Sequence, residues 1–316
     1  MKAVICAKYG PPSVLKLKEL PKPKPKSNEV VVKNYATAVT GSDVLIRSAN
    51  FPLIIGLMFR VAIGFTKPRK PILGLVFAGE IESVGKNVKH FKKGDKVYGF
   101  NGSGFGAYAE YLCVSEKESK ESCLVSKPKN MSYEEAAAIA YGGVLAPYYL
   151  ERAKIQEGQK VLIYGASGAF GTTMVQLAKN LGAEVFGVCS TGNVELVKSI
   201  GADKVIDYKK EDFTGRKECY DLILDAVPHG KINKKSLKTR CKKKLCANGK
   251  FLSINQGSPK VRAKYLNQLN TLFAQGDFKA VIDRKYPIEQ IVEAHKYVDT
   301  GHKRGNVVIT LGHPRT

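Results

Sequence analysis

Residues 162–173 read LIYGASGAFGTT, an apolar run that halts at Gly165, Gly168 and Gly171 and resumes as a helix-forming segment. Without a Cβ, a glycine lets the backbone approach a ligand or a neighbouring element closely. The flanks say what kind of place this is. KVLIYG (160–165) has the composition of a fully buried strand, and in TTMVQLAKNLG (172–182) Met174, Leu177, Ala178 and Leu181 recur on one helical face. Strand, tight turn and helix in that order put a helix N-terminus, with unpaired N–H groups and partial positive charge, just past the glycines. A pyrophosphate fits there when no side chain blocks it, so the stretch predicts a dinucleotide-binding turn.

Working outward, the alternation continues. EVFGVCS (184–190) reads as a strand and NVELVKSIG (193–201) as a helix closed by Gly201 at the C′ position. KVIDY (204–208), DLILDAV (221–227) and GKFLSI (249–254) follow as strands. Near-continuous apolar strands separated by helices predict a parallel sheet covered on both faces. Upstream, MSYEEAAAIAYGG places Ser132 three residues before Glu135, a capping box heading an Ala-rich helix. Before about residue 125 the character changes. VVVKNYATAV (30–39), AGEIESVG (78–85), GDKVYGF (94–100) and AYAEYLCV (107–114) read as short strands and turns, and PKPKPKS (21–27) as an extended connector. KYLNQLNTLFAQG (264–276) and YPIEQIVEAHKYVDTG (286–301) read as two helices and NVVIT (306–310) as a final strand.

The second strand ends in Cys189-Ser190-Thr191-Gly192-Asn193, without the Asp or Glu that holds the ribose 2′-hydroxyl of NADH. Hydroxyl and amide groups, with Lys198 just beyond, tolerate a 2′-phosphate and favour NADPH, although Gly192 provides no Arg to clamp it. Ser190 and Thr191 can equally cap the helix that follows.

With 316 residues, 44% hydrophobic and 25% charged, the chain has an ordinary globular composition and room for two domains. Met1 leads straight into KAVICAKYG, without a basic segment and long apolar core, so no signal peptide is expected. Seven scattered cysteines, with no CxxC, point to free thiols in a reducing, cytoplasmic setting. The formal charge is +23, and KINKKSLKTRCKKK (231–244) could attract polyanions. Its interleaved apolar residues read more simply as a solvated helix face, and no nucleic-acid-binding signature accompanies it, so nucleic acid is not the expected main partner. FPLIIGLMFRVAIGF (51–65) is too short to cross a bilayer and reads either as a buried or lid-like segment or as a peripheral membrane contact.

KAVICAKYGPPSVLKLKE, FAGEIESVGKNVKHFKKGDKVYGF, GASGAFG, STGNVELVKSIGADKVIDY and EAHKYVDTGHKRGNVVI together resemble the medium-chain dehydrogenase/reductase superfamily, nearest its zinc-free quinone oxidoreductase branch. The resemblance spans nearly the whole chain. It implies an α/β architecture: a β-rich GroES-like catalytic domain (1–124 and 259–316) and an inserted Rossmann-type doubly wound domain (125–258), with the active site in the cleft between them. Relatives are commonly dimers, which makes a homodimer the inherited expectation.

By the family's pattern the pyrophosphate contacts fall on Ser167, Gly168, Ala169, Phe170 and Gly171. Ser190, Thr191, Asn193 and Tyr208 would surround the adenosine 2′-phosphate. Asp225, Ala226, Val227, Ser253, Ile254, Asn255 and Asn306 would flank the nicotinamide. Asp43 and Tyr141, with Asn101, fall in segments that line the cleft in relatives, so Asp43 and Tyr141 are the catalytic candidates, as positioning groups more readily than as proton donors. Relatives often carry a Pro and a Thr in the helix after the capping box; Ala140 and Leu145 stand there in this chain.

Zinc alcohol dehydrogenases of the superfamily use a Cys before Gly-x-Asp, a Gly-His-Glu and a further Cys. This chain has Thr40 before Gly41-Ser42-Asp43, Gly74-Leu75-Val76 in place of Gly-His-Glu, and AYGGVLAP (140–147) without a thiolate. Of the cysteines, only Cys113 and Cys123 lie where the four-Cys structural lobe would be, and His90, His229, His295, His302 and His313 show no metal spacing. No zinc is expected, since Thr, Leu and Val cannot complete a three-ligand catalytic site. Lacking a Lewis acid, such a site suits an acceptor already activated by conjugation: a small hydrophobic quinone, enone or alkenal. The alternatives are an NADPH-binding protein acting through RNA or a membrane surface, and a zinc-type alcohol dehydrogenase with unusual ligands.

Overall fold

The computed structural model describes residues 1–51, 53–227, 234–257 and 259–312. The chain opens with an antiparallel pair, β1 (Lys2–Cys6) and β2 (Leu15–Glu19). Next come β3 (Glu29–Val39), α1 (Gly41–Ser48), α2 (Leu53–Ile63), β4 (Val76–Val84), β5 (Lys96–Phe100), β6 (Tyr111–Ser115) and β7 (Cys123–Ser126). The long α3 (Tyr133–Ala153) leads into an alternating run of β8 (Lys160–Tyr164), α4 (Ala169–Asn180), β9 (Glu184–Cys189), α5 (Val194–Ser199) and β10 (Lys204–Asp207). That run is completed by β11 (Tyr220–Asp225), α6 (Lys234–Lys242) and β12 (Leu245–Ser253). The C-terminal part holds α7 (Ala263–Gln275), β13 (Ile282–Pro287), α8 (Ile291–Asp299) and β14 (Asn306–Thr310).

Two large sheets result. The five strands β10-β9-β8-β11-β12, in that order, are all parallel. Their burial follows from their sequence: Val161, Leu162, Ile163, Val185, Phe186, Leu224 and Ile223 are essentially inaccessible, as continuous apolar strands between helices require. The strand order reverses between β9 and β11 on either side of β8, so a crevice opens at the carboxyl ends of β8 and β11, where doubly wound sheets bind ligands. The other sheet is mainly antiparallel and runs β13-β14-β3-β4-β5-β7, with β6 also paired to β3. It is thus completed by the C-terminal strands β13 and β14. Helix α3 joins the two halves. Its capping box forms as expected, with Ser132 Oγ accepting from the Glu135 amide and Glu135 reaching back to the Ser132 amide at 2.8 Å. One core cluster contains α3, α4, β4, β5 and β8 residues together.

Several expectations are corrected. Residues 41–48 and 53–63 add two helices to a part of the chain read as short strands and turns: Thr40 and Asp43 form a second capping box at the head of α1. The helix expected from 286 begins only at Ile291, because Tyr286 and Pro287 belong to β13, parallel to β14. Pro287 drives its predecessor into extended backbone, which favours the strand. Leu181 is exposed at the C-cap of α4, outside the buried stripe. Not all thiols are free: Cys219 and Cys246 form a disulfide across the starts of β11 and β12, with Cα atoms 5.1 Å apart. Parallel pairing of Tyr220 with Leu245 brings these two cysteines together. In the lysine-rich stretch, Leu237 and Cys241 are buried under α6, the amphipathic arrangement its spacing implies; residues 231–233 lie outside the described residues.

Candidate active site

The three glycines of the opening stretch do three different things. Gly165 has φ +87°, a left-handed conformation that turns the chain off the end of β8. A Cβ on Gly171 would lie 2.1 Å from the Gly165 carbonyl oxygen and 2.8 Å from the Ala166 Cα, so this glycine is where α4 packs against the turn. A Cβ on Gly168 would meet nothing nearer than 3.6 Å. Gly168 is the N-cap of α4, and no side chain caps that end. Helix and strand therefore account for Gly171, while the open face of Gly168 beside an uncapped helix N-terminus suits a pyrophosphate.

A segment from the other end of the chain seats on this turn. The Gly305 amide donates to the Ser167 carbonyl at 2.8 Å, and Gly168 and Gly305 form an isolated bridge. Lys303 Nζ braces the segment by donating to the Gly305 carbonyl, also at 2.8 Å, and burial lowers its ammonium to about 8 against an opposing pull from Asp283. Asn306 is held through its amide and side chain to the Val281 carbonyl. The consequence reaches the turn after β9. A Cβ at Gly192 would lie 3.3 Å from Arg304 Nη2. The guanidinium missing from the 189–193 turn is thus delivered by residue 304, which local sequence reading could not find.

Around it, Asn193 Nδ2 donates to Ser167 Oγ and Ser190 Oγ at 3.1 Å each, tying the glycine turn to the second turn. Asn193 Oδ1 is buried and has no hydrogen-bond partner, an acceptor without a donor. Tyr208 lies half-exposed, its amide bonded to the Cys189 carbonyl. One carboxylate lies near: Asp207, at the end of β10, is held below the usual carboxylate range by the Thr191 side chain and the Lys209 amide. The uncapped helix end, the open Gly168 and the Ser167, Ser190, Asn193 and Arg304 groups together fit the diphosphate and adenosine ribose of a dinucleotide.

Further along the crevice, Asp225, Ser253 and Asn255 form a latch between β11 and β12. Ser253 Oγ donates to Asp225 Oδ2 at 2.9 Å, the Val227 amide to Asp225 Oδ1 at 3.1 Å, and Asn255 Nδ2 to the Val227 carbonyl at 2.9 Å. Ala226 is buried, its amide bonded to the Tyr164 carbonyl. These groups shape the strand ends, and Ile254 beyond them borders a pocket of about 240 Å³. Phe170, from the first turn of α4, forms another wall, with Ser42, Phe100, Tyr141, Leu145, Tyr149 and Pro259 completing it. The lining is mostly apolar. Its polar feature is the Tyr141 hydroxyl, 2.7 Å from Ser42 Oγ. Burial pushes the Tyr141 phenol up, with Ser42 opposing, so it carries its proton at neutral pH.

The two catalytic candidates thus separate. Tyr141 stands in the pocket; Asp43 does not line it. Thr40 donates to Asp43 Oδ2 from its amide at 2.9 Å and from Oγ1 at 2.6 Å, so the carboxylate caps α1. Burial raises Asp43 to about 6 despite those bonds. Asn101 is also spent locally, donating to the Phe105 carbonyl at 2.7 Å. Ser42 is the residue that sequence reading passed over, although it adjoins Asp43. Leu145 lines the pocket where relatives carry a Thr, and among the described residues none of the lining comes from 51–65.

Among the described residues no three His, Cys, Asp or Glu side chains converge as metal ligands. Thr40 is engaged in its cap, Leu75 and Val76 are buried apolar side chains, and His295 is fully buried with Nε2 3.1 Å from the Tyr108 hydroxyl. His229 and His313 lie outside the described residues.

Comparison with known proteins agrees with this layout. The family model for the alcohol dehydrogenase GroES-like domain matches residues 26–129, and that for zinc-binding dehydrogenase matches 200–309. A 2-methylene-furan-3-one reductase of Solanum lycopersicum is 33% identical, over 98% of this chain and 79% of its own length. An NADPH-dependent alkenal/one oxidoreductase, chloroplastic, of Arabidopsis thaliana is 29% identical over the same shares. Among solved structures, the quinone oxidoreductase from Coxiella burnetii superposes with a TM-score of 0.80 at 26% identity, covering 99% of both chains.

Proposed function

We propose a reaction for this chain, which belongs to the medium-chain dehydrogenase/reductase superfamily, among its quinone and enone oxidoreductases: NADPH-dependent reduction of a small hydrophobic quinone or α,β-unsaturated carbonyl, without zinc. Bound NADPH supplies the hydride. The protein's task is to hold an electrophile against that donor and to stabilise the charge that develops on its oxygen. Phe170 and Ile254 bring the nucleotide side of the crevice to one wall of the pocket, and Phe100, Leu145 and Tyr149 offer apolar surface that excludes water from the acceptor. Tyr141, kept protonated by burial and held by its bond to Ser42, donates a hydrogen bond to the acceptor oxygen as negative charge accumulates there. The Ser42–Tyr141 pair in an apolar pocket that adjoins the glycine-turn helix is the observation that carries the reading.

Three supports favour NADPH over NADH: the absence of an acid in residues 189–193, the Arg304 guanidinium beside Gly192, and Lys209 and Lys210 next to Asp207. A 2′-phosphate placed there meets fixed positive charge. The zinc-free reading rests on donor chemistry, since a threonine already bonded to Asp43 and two buried aliphatic side chains occupy the family's ligand positions. The test is consumption of NADPH and of NADH with a small quinone and with a short 2-alkenal, on protein assayed for bound metal. Turnover that is faster with NADPH, with no stoichiometric zinc, is the expected result. Arg304→Gln should raise KM for NADPH roughly tenfold and leave that for NADH unchanged. Tight NADPH binding without turnover on either acceptor class would overturn the enzymatic reading.

A further inference from the structure

Among the described residues, none of α2 lines the pocket. Leu57, Met58 and Val61 on this helix and Phe65 just after it are 60%, 69%, 53% and 57% exposed, and their spacing puts them on one side. The helix is anchored from behind. Phe59 packs against Phe51 in a tilted ring pair with centroids 4.4 Å apart and lies 5.9 Å from Tyr9, and Ile63 packs against the main core. The Tyr9 hydroxyl donates to the Gly64 carbonyl at 2.8 Å, fixing the turn that follows. An apolar stripe held outward on a braced helix costs solvation in water that a partner would recover.

The charge around the stripe says which partner. Residues 44–79 contain Arg47, Arg60, Lys67, Arg69 and Lys70 and no Asp or Glu. Arg47 is buried on Asp299. The other four lie within or just after the stripe in the chain, and the hydrogen bonds of Arg60, Arg69 and Lys70 go to backbone carbonyls of Phe65, Ala62 and Ser103, not to carboxylates, with the Arg60 guanidinium also 5.4 Å from the Tyr9 ring. Lys67 is exposed. The helix is 11 residues long, roughly 16 Å, about half the thickness of a bilayer's hydrocarbon. Among the described residues no helix is long and apolar enough to cross a membrane. A short helix with an exposed apolar stripe and a rim of cations matches the boundary between headgroups and acyl chains of an anionic leaflet.

We propose that α2 and the 64–70 turn dock this protein in the plane of an anionic lipid surface, with Leu57, Met58, Val61 and Phe65 entering the acyl boundary and Arg60, Lys67, Arg69 and Lys70 meeting lipid phosphates. This docking is independent of the reaction assigned to the pocket. It is tested by co-sedimentation of the full chain with vesicles of phosphatidylcholine alone and of phosphatidylcholine with phosphatidylglycerol, at physiological salt. The expected result is retention on the anionic vesicles only. The double substitution Met58→Asp with Val61→Asp should lower that retention by roughly tenfold or more, and Lys67→Glu with Lys70→Glu should lower it comparably. Unchanged thermal midpoints and NADPH binding show that the variants fold. Equal retention of the wild type and the Met58/Val61 variant would overturn the proposal, reducing the interaction to overall positive charge. So would no retention at all, or conversion of a dimer to a monomer by that variant, which would assign the stripe to a second copy of the chain.

Discussion

A methyl group added at Gly171 and one added at Gly168 should have opposite signatures. At Gly171 the new Cβ would lie 2.1 Å from the Gly165 oxygen and 2.8 Å from the Ala166 Cα, both backbone atoms of the same turn. Neither can rotate away, so α4 must retreat from β8 or the turn must deform. Overpacking of this kind costs about 1–3 kcal/mol, which for a chain of this size lowers the midpoint of thermal unfolding by roughly 1.5–4.5 °C. At Gly168 the nearest atom would be 3.6 Å away, ordinary contact, and the residue has φ −79°, which alanine adopts freely. Gly168→Ala should therefore leave the midpoint within about 1 °C, since substitutions away from packed features fall within roughly 0.5 kcal/mol. The same methyl would stand where the pyrophosphate meets the helix end. A clash of about 1.4–2.8 kcal/mol there weakens NADPH binding roughly 10- to 100-fold. Differential scanning calorimetry of the apoprotein and a fluorescence titration with NADPH separate the two effects. If Gly168→Ala binds NADPH as the wild type does, the open face of Gly168 is not where the pyrophosphate lies. If Gly171→Ala is as stable as the wild type, the packing assigned to that glycine is wrong.

Tyr141→Phe removes the pocket's hydroxyl donor and should lower kcat by roughly 10²-fold while the KM for NADPH stays the same; an unchanged kcat would take from Tyr141 the hydrogen bond to the acceptor oxygen. His295 is buried, and that burial, helped by Arg47, holds its pKa at about 3 against an ordinary 6.5. The unfolded chain therefore binds more protons between those values, and the stability this neutral imidazole contributes is present above pH 6.5 and lost as the pH falls toward 3. Asp43, raised to about 6 from 3.8, works in the opposite sense over its own window and offsets part of the loss. His295→Gln should make the acid limb of midpoint against pH shallower by up to about 1.4 kcal/mol per pH unit; parallel limbs for variant and wild type would show that His295 does not drive it. Cys219→Ser should cost oxidised protein about 3.5 kcal/mol, the chain-entropy value for a cross-link closing a loop of this length. Reductant should lower the wild-type midpoint by the same amount and leave the variant's unchanged, and insensitivity of both to reductant would deny the disulfide in solution.

The parts that were legible share a property: their signal lies within one turn or one strand. The capping box at Ser132 and Glu135, the apolar run 160–165 and the glycines after it each express a local preference that the fold then keeps. α1 carried a local signal too, the Thr40–Asp43 box, but on the sequence alone Asp43 stands as a catalytic candidate and not as a helix cap. α2 was hidden differently. A continuous apolar segment such as 51–65 has no polar face to give it a period, so its helical form is not distinguishable by pattern alone.

By itself the sequence determined the alternating parallel sheet and the strand–glycine turn–helix that heads it, because hydrophobic periodicity and turn chemistry act over a few residues, and the wording of its longer motifs carried the resemblance to the family. Tertiary structure alone decided which distant groups complete the site. Arg304 reaches Gly192 because the segment before β14 lies on the glycine turn, and Ser42 meets Tyr141 because α1 follows a strand of the same sheet against which α3 packs. Cys219 meets Cys246 for a similar reason, through the parallel pairing of β11 with β12. Such meetings are set by strand order and register. Those are properties of the packed whole, to which no short stretch of chain has access.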